Sequence, residues 1–366
     1  MPIYMDRHDV SDEVTAETVA ELHREDLKIQ HKYGCRGLTY WFDETRKTAF
    51  CLIEAPNEKA VIQMHKHAHG EVPHQIIEVE TAIVESFLGR IEDPEKAQDT
   101  NLNIINDPAF RTIMLVAIEH HSFKNLNPFS RISKIKQFSE HINVILEFVD
   151  GNIVRQNENG LLISFRKVTD AVLSAFKIQE YFKNFKSQYQ LDYTELCIAL
   201  NAGVPVTEKK SIFEDTIKPV QRMCLTSIAE VIITASVKQL YEAENIGESL
   251  RGEQLHSLSH REQKFLNSLM EFLEKEWQNA ELKVEDIEKN IGISKSKLYR
   301  EMMSLTGKSP SVFILDFRLR KSLQMLQEKN RNISEIAFAS GFSSPSYFAK
   351  CFKKKYGIKP SCLALQ

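Results

Sequence analysis

The chain has 366 residues, the length of two or three domains, and carries a formal net charge of −3. Its six cysteines, at positions 35, 51, 197, 224, 351 and 362, form neither close metal-type pairs nor a disulfide-dense pattern, which excludes a small disulfide-stabilised secreted protein. No window holds the roughly 18 apolar residues of a membrane span and the N-terminus lacks a secretion signal, so we expect a soluble cytoplasmic protein without a membrane partner.

Residues 1–80 alternate between strand and helix patterns. Strands are predicted at 3–8, 37–42, 48–54 and 75–80, and helices at 15–33 and 58–69. The resulting order βαββαβ is that of a sheet with helices on one face. The sequence therefore predicts an α+β ferredoxin-like domain at residues 1–80.

Histidines are concentrated in this predicted domain, which holds seven of the twelve in the chain. His65 and His69 lie one helical turn apart, so both imidazoles can point to one side and bind one metal ion. His8, Asp6 and His23 are candidates to complete a site of mixed nitrogen and oxygen ligands, which suits nickel, copper or zinc. The spacing alone favours a surface or helix-capping role for the histidines.

A family resemblance supports the metal site. The strings at 4–9 (YMDRHD), 38–43 (LTYWFD), 50–56 (FCLIEAP) and 65–70 (HKHAHG) resemble a small bacterial family of ferredoxin-like proteins, at least one branch of which binds nickel. The resemblance implies that residues 1–80 are a sensor for a divalent transition metal or a small-molecule effector.

The next segments are predicted to be a linker and a second folded unit. Residues 81–108 hold Gly89, Pro94, Pro108 and many polar residues, which predicts a linker with some helix. An α/β domain is predicted at 109–243, with strands at 112–118, 152–154, 160–165, 195–201 and 231–234, a hairpin turn at 157–160 and a helix at 169–185. A second linker is predicted at 244–261.

Short strings in this second unit resemble a class III nucleotide cyclase domain. They are 150–152 (DGN), 159–160 (NG), 198–205 (IALNAGVP), 222–224 (RMC) and 231–234 (VIIT). The resemblance implies a cyclase-like fold over roughly 110–243. The Asn159-Gly160 dipeptide also favours a hairpin turn by itself.

The resemblance further implies two aspartates that hold catalytic metal ions, and both are replaced here. The first falls at Ala117, or within a residue or two at Glu119, and the second at Asn159. Arg222 matches the arginine that stabilises developing charge, whereas Lys218 replaces a nearby asparagine. Because a methyl group cannot bind a metal and a neutral amide binds it weakly, we expect no catalytic residues and a domain kept for dimerisation or ligand binding.

The C-terminal region contains the same unit twice, a short helix, a tight turn and a second helix, with a long amphipathic helix between the copies. In the first copy, helices at 284–290 and 295–306 flank a turn at 291–293, with Ser294 as cap. In the second, a helix at 333–340 and a turn at 341–344 precede a helix that Ser344 caps and Pro345 opens. Gly292 and Gly341 suit turns that need a positive φ.

Helical spacing decides which side chains of the second helices face outward. Leu298, Met302 and Leu305 share the buried side of one helix, and Phe348 and Phe352 that of the other. Small, amide or basic residues near a helix N-terminus suit the major groove of DNA. The candidate DNA-contacting residues are Lys295, Ser296, Lys297, Tyr299, Arg300, Ser346, Tyr347 and Lys350.

Charge agrees with a DNA-binding C-terminus. Residues 290–366 carry fourteen Lys and Arg against four Asp and Glu, so the remainder of the chain is acidic. A solvated charged helix face explains isolated runs such as 353–355 but not the whole segment. The sequence therefore predicts an all-α double helix-turn-helix domain at 262–366.

Both copies also resemble the DNA-binding domain of AraC-family transcription regulators. The matching strings are 292–294 (GIS), 298–300 (LYR), 306–310 (TGKSP), 336–337 (IA), 341–342 (GF), 346–348 (SYF) and 352–361 (FKKKYGIKPS), and the pattern departs only at 362–366. The resemblance implies a sequence-specific regulator that binds double-stranded DNA. We expect it to be a homodimer in which the two preceding domains serve as sensor and dimerisation modules. The alternatives are an active nucleotide cyclase tethered to a DNA-binding domain and an enzymatic or protective activity in residues 1–80.

Overall fold

Three consecutive parts make up the computed structural model, which we name the N-terminal, middle and C-terminal parts. It describes residues 1–95, 102–120, 128–157, 160–191, 194–226, 229–246, 250, 255–328 and 331–364. None of the helices within those ranges has the length and apolar character needed to cross a membrane.

The N-terminal part is a four-stranded antiparallel sheet with strand order β2-β3-β1-β4 and two helices. Its elements follow the order βαββαβ that the sequence predicts. They are β1 (Ile3–Asp9), α1 (Ala16–Ile29), β2 (Arg36–Asp43), β3 (Thr48–Glu54), α2 (Glu58–Ala68) and β4 (Gln75–Val79). Thr15 and Asn57 cap the two helices through side-chain oxygens that accept from the backbone N–H of Thr18 and Ala60.

Both faces of this sheet are covered. On β3, Cys51 and Ile53 face the helices, whereas Phe50 and Leu52 face the opposite way. Phe50 and Leu52 share their apolar cluster with Phe213 of the middle part. The second face of the sheet is therefore an interface with the middle part.

The segment predicted as the first linker is folded against its neighbours. Helix α3 (Thr81–Leu88) buries Val84, Phe87 and Leu88 beneath the N-terminal sheet. After it the chain returns along β2, where the Asp107 carbonyl accepts from the Phe42 N–H at 3.1 Å. Apolar residues spaced for packing explain why the described residues of 81–108 do not form a free linker.

The middle part is a six-stranded mixed sheet in the order β10-β9-β8-β5-β7-β6. Strands β8, β9 and β10 run parallel to one another, and the other pairs are antiparallel. Its elements are β5 (Arg111–His120), α4 (Pro128–Leu146), β6 (Gly151–Asn157), β7 (Gly160–Phe165), α5 (Val168–Gln188), β8 (Thr194–Gly203), α6 (Glu214–Met223), β9 (Val231–Thr234), α7 (Ala235–Glu244) and β10 (Leu255–Leu258).

The second predicted linker, 244–261, is shorter than the sequence indicates. Its residues 255–258 form β10, which pairs with β9 in the register Leu255 to Val231 through Leu258 to Thr234. Only Leu258 of that strand is fully buried, so the strand carries little apolar pattern by which it can be predicted.

The C-terminal part contains only helices among its described residues. They are α8 (His260–Glu276), α9 (Val284–Ile291), α10 (Lys295–Thr306), α11 (Pro310–Gln327), α12 (Ile333–Ala339), α13 (Pro345–Tyr356) and α14 (Ser361–Ala364). Helices α9–α10 and α12–α13 are the two predicted helix-turn-helix units, and α11 joins them. Helix α8 contributes Leu266 and Leu269 to an apolar cluster that includes Ala199 and Ile232 of the middle sheet.

Glycine allows both turns, as predicted from the sequence. Gly292 has φ 72° and Gly341 has φ 74°, in the left-handed region. Ser344 caps α13 by accepting from the Tyr347 N–H. The expected cap at Ser294 is wrong in its hydrogen bond: Ser294 occupies the N-cap position of α10, but its side chain accepts no capping bond.

Candidate functional site

A cluster of potential metal ligands lies between the N-terminal sheet and its helices. Asp6 and His8 are two residues apart on β1 and therefore point to the same face, and Asp6 is the register partner of Cys51 on β3. One ligand atom from each of Asp6, His8, Cys51 and His65 lies within 4.8 Å of the others, and all four residues are buried.

His65 belongs to a second group as well. Its Nε2 lies 2.8 Å from Asp6 Oδ2, and its Nδ1 lies 3.1 Å from the Asp26 carboxylate on α1. His69, one turn further along the chain from His65, places its Nε2 3.3 Å from Asp26. His65 is thus held between two carboxylates, and Asp26, His65 and His69 form a second potential set of ligands.

The charges of the cluster are coupled. Burial opposes the imidazolium form of His65, but Asp6 and Asp26 outweigh burial and raise its pKa to about 10. Burial likewise opposes ionisation of Asp6, yet His65 and His8 lower its pKa overall. Burial and then the Asp6 charge raise the pKa of Cys51. At neutral pH the residues therefore form a carboxylate–imidazolium network beside a neutral thiol.

The Nε2 atom of His8 accepts and donates no hydrogen bond within this network. This atom is buried without a hydrogen-bond partner among the described residues, although Asp6 Oδ1 lies 3.4 Å away. A buried polar atom without a partner is costly, and a bound cation would remove that cost.

The structure brings together four of the five predicted ligands. Asp6, His8, His65 and His69 lie in the cluster, whereas His23 lies outside both groups and its Nε2 is 3.3 Å from Asp93 Oδ2. Asp26 and Cys51 are the two members that sequence reasoning missed. Cys51 follows from the pairing of β1 with β3, which the βαββαβ order implies.

The eight predicted DNA-contacting residues form a second surface, which we call the reading face. All eight are exposed on α10 and α13, including Tyr299 and Tyr347, which are 51% and 54% exposed. The side chains expected to face inward, such as Leu298, Met302 and Phe348, are buried. Lys295 is the one predicted contact with an ion-pair partner among the described residues, Glu285 at 3.1 Å.

Three of the five residues that the cyclase resemblance selects form ion pairs, namely Glu119, Arg222 and Lys218. Ala117 lies opposite Gly160 on β7, and Asn159 lies outside the described residues. Glu119 binds Arg320 of α11 at 2.6 Å. Arg222 is buried and binds Glu274 of α8 at 2.9 Å, while Lys218 pairs with Glu214 within α6.

Known protein families match the N-terminal part and the C-terminal part of the chain. Residues 4–79 match the family described as nickel responsive protein SCO4226-like, and residues 287–365 match a helix-turn-helix domain family. PqrA of Proteus vulgaris, a probable transcription factor, is 32% identical over 97 residues, which cover 26% of this chain and 80% of PqrA. The C-terminal part belongs to the AraC family of transcription regulators.

Two further proteins are similar to parts of this chain. YdeC of Bacillus subtilis (strain 168), an HTH-type transcriptional regulator, is 27% identical over 187 residues, covering 50% of this chain and 61% of YdeC. A Chromobacterium violaceum structure described as having an AraC-type DNA-binding domain is 30% identical, covers 28% of this chain and 92% of that chain, and has a TM-score of 0.27. The chain spans less than two thirds of the length of most curated relatives it matches.

Proposed function

We propose that the chain is a sequence-specific, DNA-binding transcription regulator of the AraC type. In this proposal residues 1–80 are a metal sensor, residues 109–243 a cyclase-like module without catalysis, and residues 262–366 the DNA-binding domain. The observation that carries the proposal is the reading face, in which two helix-turn-helix units of a matched family expose every predicted DNA contact.

The two reading helices are proposed to enter successive major grooves on one side of the duplex, about 34 Å apart. Arg300 and Lys350 are exposed and have no ion-pair partner among the described residues, so their charges are available to bases or phosphates. A bidentate base contact is worth about 1–3 kcal/mol, or roughly a factor of 5 to 150 in affinity.

DNA footprinting of the full chain tests this proposal. Arg300→Ala and Lys350→Ala should each weaken protection of the site. The matched control is Lys210→Ala, which removes an exposed lysine from the middle part and should leave protection unchanged. The assignment fails if no sequence is protected or if both variants bind like the wild type.

We further propose that the N-terminal cluster binds nickel, copper or zinc. Imidazole, thiolate and carboxylate together suit these metals, and His8 Nε2, which is buried without a hydrogen-bond partner among the described residues, could bind a cation. Asp6, His8, Cys51 and His65 would hold the ion, with Asp26 and His69 orienting His65 through its other ring nitrogen. A bound metal supplies positive charge that replaces the proton of His65. The competing assignment uses Asp26, His65 and His69 as ligands.

Calorimetric titration of the full chain with the three metals distinguishes these assignments. His65→Ala should abolish binding in either case, His8→Ala only if the four-residue set is correct, and His69→Ala only if the second set is. His67→Ala is the control, because His67 lies on the same helix but is exposed. The proposal is wrong if no metal gives heat that His65→Ala removes.

For the middle part we propose a cyclase-like fold kept for dimerisation or ligand binding rather than catalysis. The resemblance supports this view, because it places Ala117, or within a residue or two Glu119, where a cyclase has a metal-binding aspartate, and Ala117 lies on β5 opposite Gly160. We expect no cyclic nucleotide from ATP or GTP with magnesium or manganese. Sedimentation of the full chain at twice its 42.2 kDa would support the proposed homodimer, and a monomer at micromolar concentration would contradict it.

A further inference from the structure

A cavity of about 550 Å³ lies between the middle part and the C-terminal part. Its wall on the middle side comes from β5, β6, β7 and α6, and its opposite wall from α8, α11 and α13. Leu115 and Leu162 give the first wall an apolar surface, and Met270 and Phe317 do the same for the second. The volume is within the range of about 300–1,000 Å³ that small-molecule sites occupy.

The charged residues that line the cavity are mostly cationic. Two carboxylates line it, Glu119 and Glu274, and both are already paired, with Arg320 at 2.6 Å and Arg222 at 2.9 Å. The six cationic lining residues are Arg155, Lys218, Arg222, Arg320, Lys321 and Lys355.

Two of these cations lack a counter-charge. Lys218 pairs with Glu214 and Lys355 with Asp316, whereas Arg155 and Lys321 form no ion pair among the described residues. Arg155 belongs to β6 of the middle part and Lys321 to α11 of the C-terminal part. The uncompensated charges therefore approach the same cavity from opposite sides.

Lys355, another cation of the cavity lining, is partly buried next to Arg320. Burial, followed by the charge of Arg320, lowers the pKa of Lys355 to about 8 despite the neighbouring Asp316. An anion in the cavity would favour the charged form of this lysine and compensate the remaining cations.

We propose that the cavity binds a small organic dianion with an apolar body, a phosphate monoester or a dicarboxylate, whose charges bridge Arg155 and Lys321. A ligand with two negative charges matches the two unpaired cations, and Arg and Lys are the usual partners of phosphate and carboxylate groups. The apolar residues of both walls accommodate the body of the ligand.

Such a ligand contacts two parts of the chain that also meet through α8 and the Glu119–Arg320 pair. Helices α11 and α13 line the cavity, and α13 also carries three of the eight residues of the reading face. If the proposed DNA-binding function holds, the ligand acts as an effector, because a ligand that binds one arrangement of the two parts more tightly changes their equilibrium.

Calorimetry of the full chain with phenyl phosphate, phthalate and neutral benzamide tests the site without DNA, so its failure is separate from failure of the proposed function. We expect phenyl phosphate or phthalate to bind and benzamide not to, which also identifies the type of dianion. Arg155→Gln and Lys321→Gln should each weaken binding about tenfold, the effect of losing a charged hydrogen bond. Lys210→Gln, at an exposed lysine away from the cavity, should have no effect.

The proposal is overturned if neither dianion binds, if benzamide binds equally well, or if both glutamine variants bind like the wild type. Arg155 is exposed and Lys321 half-buried, so both variants are expected to fold. A second measurement, the footprint midpoint with and without the bound dianion, tests the effector role. An unchanged midpoint in the wild type would reject that role.

Discussion

The contact between Arg222 and helix α8 distinguishes a structural role of this arginine from a catalytic one. Arg222 is 5% exposed and donates from Nε and Nη2 to the Glu274 carboxylate at 3.2 and 2.9 Å, with Asn267 accepting from Nη1 at 3.2 Å. Arg222→Ala removes these three bonds and the longer one from Nη1 to Glu271 at 3.5 Å. It also leaves Asn267 and Glu274 without their partner across the interface between the middle and C-terminal parts.

The size of this effect follows from the exposure of the partners. A hydrogen bond to a charged group contributes about 1.5–3 kcal/mol, but Glu274 is 40% exposed, so water compensates much of its loss. We therefore expect Arg222→Ala to lower the free energy of unfolding by about 2 kcal/mol. In a chain of this length that corresponds to a fall in Tm of roughly 3 °C.

Differential scanning calorimetry measures this loss, and a cyclase assay on the same samples measures catalysis. Lys218→Ala is the control, because Lys218 pairs with Glu214 on its own helix and is 48% exposed, so its loss should cost under about 0.5 kcal/mol. The reasoning is refuted if Arg222→Ala melts like the wild type while cyclic nucleotide made by the wild type disappears.

Two further predictions concern the turns and the buried histidine. Gly341→Ala should be more destabilising than Gly292→Ala, because a Cβ at Gly341 would lie 2.5 Å from the Trp277 carbonyl oxygen whereas one at Gly292 meets nothing within 4 Å; urea unfolding compares them, and equal losses would contradict the expectation. Because the pKa of His65 is raised in the folded state, protonated His65 contributes its full stabilisation below pH 6.5. Without added metal, this contribution to the free energy of unfolding falls by up to about 1.4 kcal/mol per pH unit as the pH rises towards about 10. The lowered pKa of Asp6 has the opposite sign, so its contribution is lost as pH falls into the acid range. Urea midpoints from pH 6 to 10 check the histidine prediction, and a His65→Gln variant with the same alkaline slope would contradict it.

The sequence predicts elements well where a strand or helix has one face on the core. The strand at 48–54 was predicted with its observed bounds, and the bounds of α10 also agree. Helix α6 was missed because Pro219 lies inside it, and proline normally indicates a helix end. Helix α4 was missed as well.

The ligand cluster shows a different limit of sequence reasoning. His65 and His69 are related by helical spacing, which the sequence displays directly. Asp26 reaches them only because α1 packs beside α2, and local periodicity contains no information on which turn of one helix faces the other. The same absence of pairing information placed His23, one turn before Asp26, among the predicted ligands.

Whether metal at the N-terminal cluster influences the reading face depends on what lies between them. Asp6 faces the cluster, while its neighbour Met5 points to the opposite side of β1 and packs in the apolar cluster that contains Phe213 of the middle part. The middle sheet in turn packs against α8, the first helix of the C-terminal part. A metal ion changes DNA affinity only if it binds one arrangement of the parts more tightly. The dianion proposed for the cavity between the middle and C-terminal parts has the same requirement. Metal and dianion would then act on the same equilibrium, and by linkage each would change the affinity for the other by the same factor.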